Sequence, residues 1–320
     1  MRRRPILAAV VMGLGLATGL RVAAPHPPLG CSRGLCAMPV RPRASVASML
    51  PTVSTLAAAA TVPTLAGYWK TEYGVSYAYG TAMAACGALM LPAATATGTL
   101  ARWHAVVLVL YGVRLNLFLL YRELTIPRFR KFREKIEENT KKKGNRLART
   151  PFVLGCSFLY LCMGAPLRLT AAAPVSGLSK SLLTVEVVLM YLGFLVAALG
   201  DLQKTIVKAA KGENALVTGG LFRFLRHPNY TGEMLLWASS AAAAFTVAPA
   251  ALPTMPTLAA AGWLAASLVG FAGIAFVLVG AATSLEKKQE EKYGAGASGV
   301  GGGPYETWLT GSWAGPTKPA

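Results

Sequence analysis

The chain has 320 residues, 54% hydrophobic and only 14% charged, with a mean hydropathy of +0.46, a profile that excludes an ordinary soluble globular domain. Its 32 Lys and Arg stand against 13 Asp and Glu, a formal net charge of +19. In so apolar a chain that excess points to anionic lipid or a phosphorylated ligand, and away from nucleic acid.

Apolar runs approaching the roughly 20 residues that cross a bilayer as a helix recur along the chain. They do not alternate polar with apolar as barrel strands do. The expected fold class is therefore all-α, a polytopic transmembrane helix bundle with six to seven spans. Residues 1–50 contain no acid and carry repeated Arg and Ser around an apolar run and Pro-rich coil. That is the composition of an organellar, plastid targeting leader, which would place the mature protein in a chloroplast membrane; a secretory segment or a first span over 6–20 is the alternative.

Candidate spans follow at 51–67 (Pro- and Ala-rich), 76–97, 101–121, 152–170, 182–200, 229–248 and 258–282. Residues 51–150 are read as N-terminal spans with a basic loop, and 151–293 as a cofactor-binding transmembrane domain. Residues 294–320 are a Gly-rich linker and tail. The connections at 122–149 and 202–228 are rich in Lys and Arg, whereas those at 97–100 and 249–257 have none. The positive-inside rule puts both basic connections and the tail on one face, cytoplasmic or stromal. Five scattered cysteines (Cys31, Cys36, Cys86, Cys156, Cys162) form no CxxC pair, and His26, His104 and His227 are the only histidines; no metal site is expected.

A second charged stretch runs directly into an apolar span, "GDLQKTIVKAAKGENALVTGGLFRFLRHPNYTGEMLLW", 200–237, and its Asp201 is the chain's only aspartate. Pro228 suits the first position of a helix. Asn229 to Glu233 then form the first turn, whose free N–H groups favour an anion. Gly219 and Gly220 let the chain turn back to the membrane. Lys204, Lys208, Lys211, Arg223 and Arg226 surround that helix start; Lys208 and Lys211 read better as interfacial anchors. Ionisable groups at membrane depth are costly, which favours function for Arg226, His227, Asn229, Tyr230 and Glu233. The triplet Asn229-Tyr230-Thr231 matches a glycosylation acceptor, but its place beside the basic connections argues against that use.

"DLQK" followed by "GLFRFLRHPNYTGEMLLW" resembles the C-terminal domain of the steroid 5-alpha-reductase-like membrane enzymes, in the branch with the pattern D-x-Q-K then R-H-P-N-Y-x-G-E. "YGVRLNLFLLYRE", 111–123, resembles an earlier span of the same branch. The shared core also occurs in sterol reductases and isoprenylcysteine carboxyl methyltransferases; the latter usually carry an apolar residue where Glu233 stands. The resemblance implies a cofactor pocket lined by Arg226, His227, Asn229, Tyr230 and Glu233, with Asp201, Lys204 and Arg223 at its rim. Glu286 and Tyr305 are the nearest matches to a Glu and a Tyr contributed by the C-terminal part of the family.

The function so implied is NADPH-dependent reduction of a C=C bond in a sterol-like or prenyl-lipid substrate, with Tyr230 and Glu233 as catalytic residues and the other named residues binding the cofactor. An S-adenosylmethionine-dependent methyltransferase on the same scaffold is one alternative. A non-catalytic lipid-binding membrane protein, its 122–149 connection held to anionic lipid by charge, is another. Tyr121, Glu123 and Glu186 are further groups that can reach a substrate. Glu186, a lone acid inside a span, is either a proton donor or a partner of the equally buried Arg114.

Overall fold

The computed structural model describes residues 46–141, 145–294 and 303–315. The leader read over 1–50 lies almost wholly outside them, as do His26, Cys31, Cys36 and most of the Gly-rich linker. The described residues fall in one compact unit, Ser45–Ala320. Its labelled helices are α1 (Val53–Thr64), α2 (Tyr77–Thr97), α3 (Thr99–Thr125), α4 (Pro127–Lys141), α5 (Thr150–Ala172), α6 (Gly177–Lys211), α7 (Pro228–Ala251), α8 (Thr257–Tyr293) and α9 (Pro304–Gly311). Among the described residues six segments are long and apolar enough to cross a membrane, built on α2, α3, α5, α6, α7 and α8. The chain is a polytopic, all-α membrane bundle.

The seventh candidate, 51–67, becomes a helix of 12 residues, about 18 Å long and short of the bilayer core. Pro63 and a break at Leu65 end it before the four-residue helix Ala66–Trp69. The segment from Pro51 to Tyr68 nonetheless lies along α5. Arg168 Nη1 donates to the Pro51 carbonyl near one end of α5, and Tyr68 Oη donates to Thr150 Oγ1 at the other.

The spanning helices pack as antiparallel neighbours, α2 with α3, α6 with α7 and α5 with α8. Bare backbone makes the first two approaches possible. A methyl group added at Gly193 would come within 2.5 Å of the Gly232 carbonyl oxygen, and one at Gly232 within 2.5 Å of the Gly193 oxygen and the Ala197 nitrogen. Gly80 and Gly112 play the same part between α2 and α3. Without water to drive helices together, such close contact is a main source of association in lipid.

Two segments read as basic loops are partly helical. α6 runs on to Lys211, because 201–211 holds no Gly or Pro, and it stops at Gly212, whose φ is +93°. Asp201 and Lys204 are therefore held on a rigid helix. The turn back is stapled by Gln203, whose Nε2 donates to the Gly219 carbonyl and whose Oε1 accepts from the Leu221 N–H, while Gly220 takes φ +58°. The other segment contains α4, a charged helix at the basic face. Its Arg133 is buried between Glu72, 2.6 Å away, and Glu123, and Glu137 pairs with Arg149 at 2.9 Å. Glu123 also accepts from the phenols of Tyr73 and Tyr77.

Replacing Gly232 with Ala is expected to lower stability by about 1–3 kcal/mol. Gly262→Ala, where an added methyl meets nothing within 4 Å, should leave it unchanged. Thermal melting of both variants in one detergent checks this; equal midpoints would show that the α6–α7 crossing is not close-packed.

Candidate functional site

α7 begins at Pro228, packed against Gly200 of α6. A methyl at Gly200 would sit 3.0 Å from the Asn229 nitrogen, so the α7 start rests directly on α6 beside Asp201. From this start Glu233 points inward and is buried. Its Oε2 accepts from Tyr111 Oη on α3 at 2.7 Å and lies 3.4 Å from Tyr79 Oη on α2. The phenols belong to an aromatic cage: Tyr79 stacks on Tyr160 at 5.6 Å, and Trp237 packs 5.4 Å from Tyr111 and 6.1 Å from Tyr79.

Arg114 follows Tyr111 by three residues and so shares its helix face. Its Nη1 donates to Asp201 Oδ2 at 2.7 Å, while Nε and Nη2 are buried with no protein acceptor. Arg122, two turns further along α3, turns its charge toward Asp201, Tyr230 and Glu213. Lys204 faces both Asp201 and Arg122. Tyr230 is half-buried, with its ring 5.9 Å from that of His227, and its hydroxyl has no hydrogen bond among the described residues.

A second group lies at the other edge of the helix start. His227 Nε2 is 3.2 Å and Arg226 Nη1 3.4 Å from Glu286 Oε1 on α8. Burial first, then the cations Lys204 and Arg226, push His227 down to about 4, so the ring is neutral near pH 7 and donates from Nε2. Arg226 also donates to the carbonyls of Leu309 and Ser312 at the end of α9. The tail closes over this turn: the Arg226 N–H donates to the Trp313 carbonyl, the Trp313 N–H to the Phe224 carbonyl, and Trp308 Nε1 to the Phe222 carbonyl. Tyr305 is buried against Tyr293 and Trp308. Burial, followed by Glu290 and Glu286, raises its phenol, which stays protonated.

Of the residues named from sequence, Asp201, Lys204, Asn229, Tyr230 and Glu233 gather at the junction of α3, α6 and α7. Arg226 and His227 are engaged by Glu286 and the tail, and Arg223 is exposed beside Phe224. Lys208 reaches the Glu213 carbonyl, and Lys211 is exposed. Glu186 is not the partner of Arg114. It accepts from Thr246 Oγ1 at 2.7 Å, and Asp201 takes the arginine. Glu123 is committed to Arg133 and two tyrosines, and Tyr121 is half-buried. Tyr79 and Tyr111, the closest partners of Glu233, carry no sequence signal beyond the spacing of Tyr111 and Arg114.

A buried carboxylate caged by phenols, joined to an Arg–Asp pair and open basic groups at one membrane face, defines a polytopic membrane protein with a polar site built into its helix bundle. Residues 66–296 match the family described as protein of unknown function (DUF1295), and the chain belongs to that steroid 5-alpha-reductase-like family. No curated protein and no solved structure matches the chain in the same comparisons.

Asp201→Leu would leave Arg114 charged and without its acceptor, at an expected cost of about 3–5 kcal/mol. The double replacement Arg114→Leu with Asp201→Leu should recover much of that loss. Melting curves of both proteins decide it, since equal losses would mean that the pair contributes no mutual interaction.

Proposed function

We propose that this protein is a membrane-embedded, NADPH-dependent reductase of a C=C bond in a hydrophobic, sterol-like or prenyl-lipid substrate, working in a chloroplast membrane. The observation that carries the reading is Glu233, a buried carboxyl group bonded to Tyr111 at the point where a charged helix start meets the hydrocarbon. Family membership supports it at the level of steroid 5-alpha-reductase-like enzymes.

The residues fit the cofactor's chemistry. Arg114 offers two buried N–H donors with no protein acceptor. Arg122 and Lys204 are cations with no acid at ion-pair distance among the described residues. Asn229 and Asp201 supply groups for amide or ribose hydroxyls. When bound, NADPH supplies a hydride.

The protein's own share is orientation and the proton. Tyr230, whose hydroxyl has no hydrogen bond among the described residues, would donate to a substrate oxygen or to the reacting carbon. Glu233, whose Oε2 accepts from Tyr111 Oη, would hold the exchangeable proton on its other oxygen, behind the Tyr79, Tyr160 and Trp237 rings that keep water out. Arg226 and His227 act one step away, by fixing the Phe224–Arg226 turn to Glu286 and the tail.

The test is NADPH consumption by the purified protein with a panel of enone and polyprenyl lipids, beside separate titrations with NADPH and S-adenosylmethionine. Glu233→Gln is expected to reduce the rate about 10²–10⁴-fold, as loss of a general acid–base group does, and Tyr111→Phe to reduce it in the same direction. Binding of S-adenosylmethionine with no binding of NADPH would sink the reductase reading.

A further inference from the structure

We infer that Arg122 and Lys204 together form a phosphoryl-binding site at the basic face of the bundle, and that surface helix α4, through Phe129, holds Arg122 in place for it. The inference rests on the reading above only where it names a nucleotide as one source of the phosphoryl group.

Both cations are short of anions. Arg122 makes no side-chain hydrogen bond among the described residues and has no acid within ion-pair distance, and the same holds for Lys204. Lys204 lies within electrostatic reach of Arg122, whose positive charge acts on it. Of the acids within electrostatic reach of them, Asp201 already holds Arg114 at 2.7 Å, Glu72 is paired with Arg133 at 2.6 Å, and Glu213 is exposed on the loop after α6. Neither cation is free in water, since both side chains are partly buried between α3 and α6. Two neighbouring, partly desolvated positive charges that repel each other are unfavourable unless a ligand neutralises them. A carboxylate would answer one of the two. A phosphoryl group carries enough charge for both, and its several oxygens suit the forked edge of a guanidinium and the point charge of an ammonium at once.

The position of Arg122 is set from outside the bundle. Its guanidinium lies 4.2 Å from the centre of the Phe129 ring on α4 and 5.5 Å from that of Phe118 on its own helix. Rings on its faces leave the donor edges to point at the site. Phe129 is also 4.6 Å from Arg133, the buried residue that ties α4 to Glu72 and Glu123, and Glu137 ties the same helix to Arg149. α4 is therefore pinned at two places with Phe129 before the first of them. That arrangement makes Phe129 a positioning residue for Arg122.

The phosphoryl group can belong to a nucleotide arriving from water or to a phospholipid in the adjoining leaflet. The experiment uses the full chain. In neutral detergent, inorganic pyrophosphate and NADPH are titrated by calorimetry; in phosphatidylcholine vesicles, melting is compared with and without added phosphatidic acid. Arg122→Gln is expected to weaken pyrophosphate binding about tenfold or more, the effect of one lost charge-assisted contact. Phe129→Leu should weaken it severalfold without moving the melting midpoint, and Phe129→Tyr should restore it. Lys135→Gln, on the exposed face of α4, should change nothing. If NADPH binding falls in parallel, the source is the nucleotide. If only the stabilisation by phosphatidic acid is lost, the source is lipid. Arg122→Lys, which keeps the charge and loses the fork, covers the case in which the Gln variant does not fold, and should also bind pyrophosphate more weakly. Pyrophosphate binding unaltered by Arg122→Gln, Arg122→Lys and Lys204→Gln overturns the inference. A protein that binds NADPH while its pyrophosphate binding is unaltered by these three replacements removes this site and leaves the reductase reading standing. One that binds pyrophosphate through Arg122 but not NADPH does the reverse.

Discussion

A charge inside a membrane protein must find its counter-charge within the protein, because hydrocarbon offers none. Much of the described architecture follows from that constraint. Arg114 reaches across from α3 to Asp201 on α6, Glu233 on α7 is met by phenols from α2 and α3, and Arg133 on α4 is enclosed by Glu72 and Glu123. All of these contacts but Arg133–Glu123 join elements far apart in sequence, so polar groups fix the relative rotation of helices whose apolar surfaces could pack in several ways. Where a charge is not answered in this fashion, as at Arg122 and Lys204, a ligand is the natural place to look for the missing partner.

Glycine supplies the complementary half of the arrangement. Gly193 and Gly232 bring the backbones of α6 and α7 together, and Gly200 seats the first turn of α7 on α6. Asp201 and Glu233 then lie on adjoining helices at nearly the same depth, both facing α3. A bulkier crossing would separate the acid that holds Arg114 from the acid held by Tyr111. In this way small residues with no chemistry of their own determine the spacing of those that have it.

The spans were legible in the sequence because length and apolarity suffice to mark them; the helix starts at Pro228 and Thr257 fall within a residue of their expected places. The end of α6 was not, because hydropathy stops at the membrane surface while the helix runs on through charged residues that form helix equally well. α4 was hidden for the same reason, because its inward Phe129, Arg133 and Glu137 stand among so many exposed charges that the segment reads as a basic loop. At the site, the charged members of 201–233 stood out against an apolar background. Tyr79 and Tyr111 did not, since a tyrosine in a span looks like packing until its hydroxyl is seen to face a carboxylate. The engagement of Arg226 and His227 by Glu286 and by the carbonyls of the tail is a long-range contact that no local pattern encodes.

The basic connections, the start of α7, the end of α8 and the tail all lie on one face, and the links on the opposite face carry no charge. Arg122, Lys204 and Tyr230 belong to the end of the bundle that carries these basic segments. On the proposed reading a water-borne ligand would be drawn from a single compartment, whose concentration alone would set how often the protein is loaded. Changes in the solution across the membrane would be invisible to it, and the protein would act as a one-sided reporter of the pool it faces, passing that state on to molecules dissolved in the bilayer.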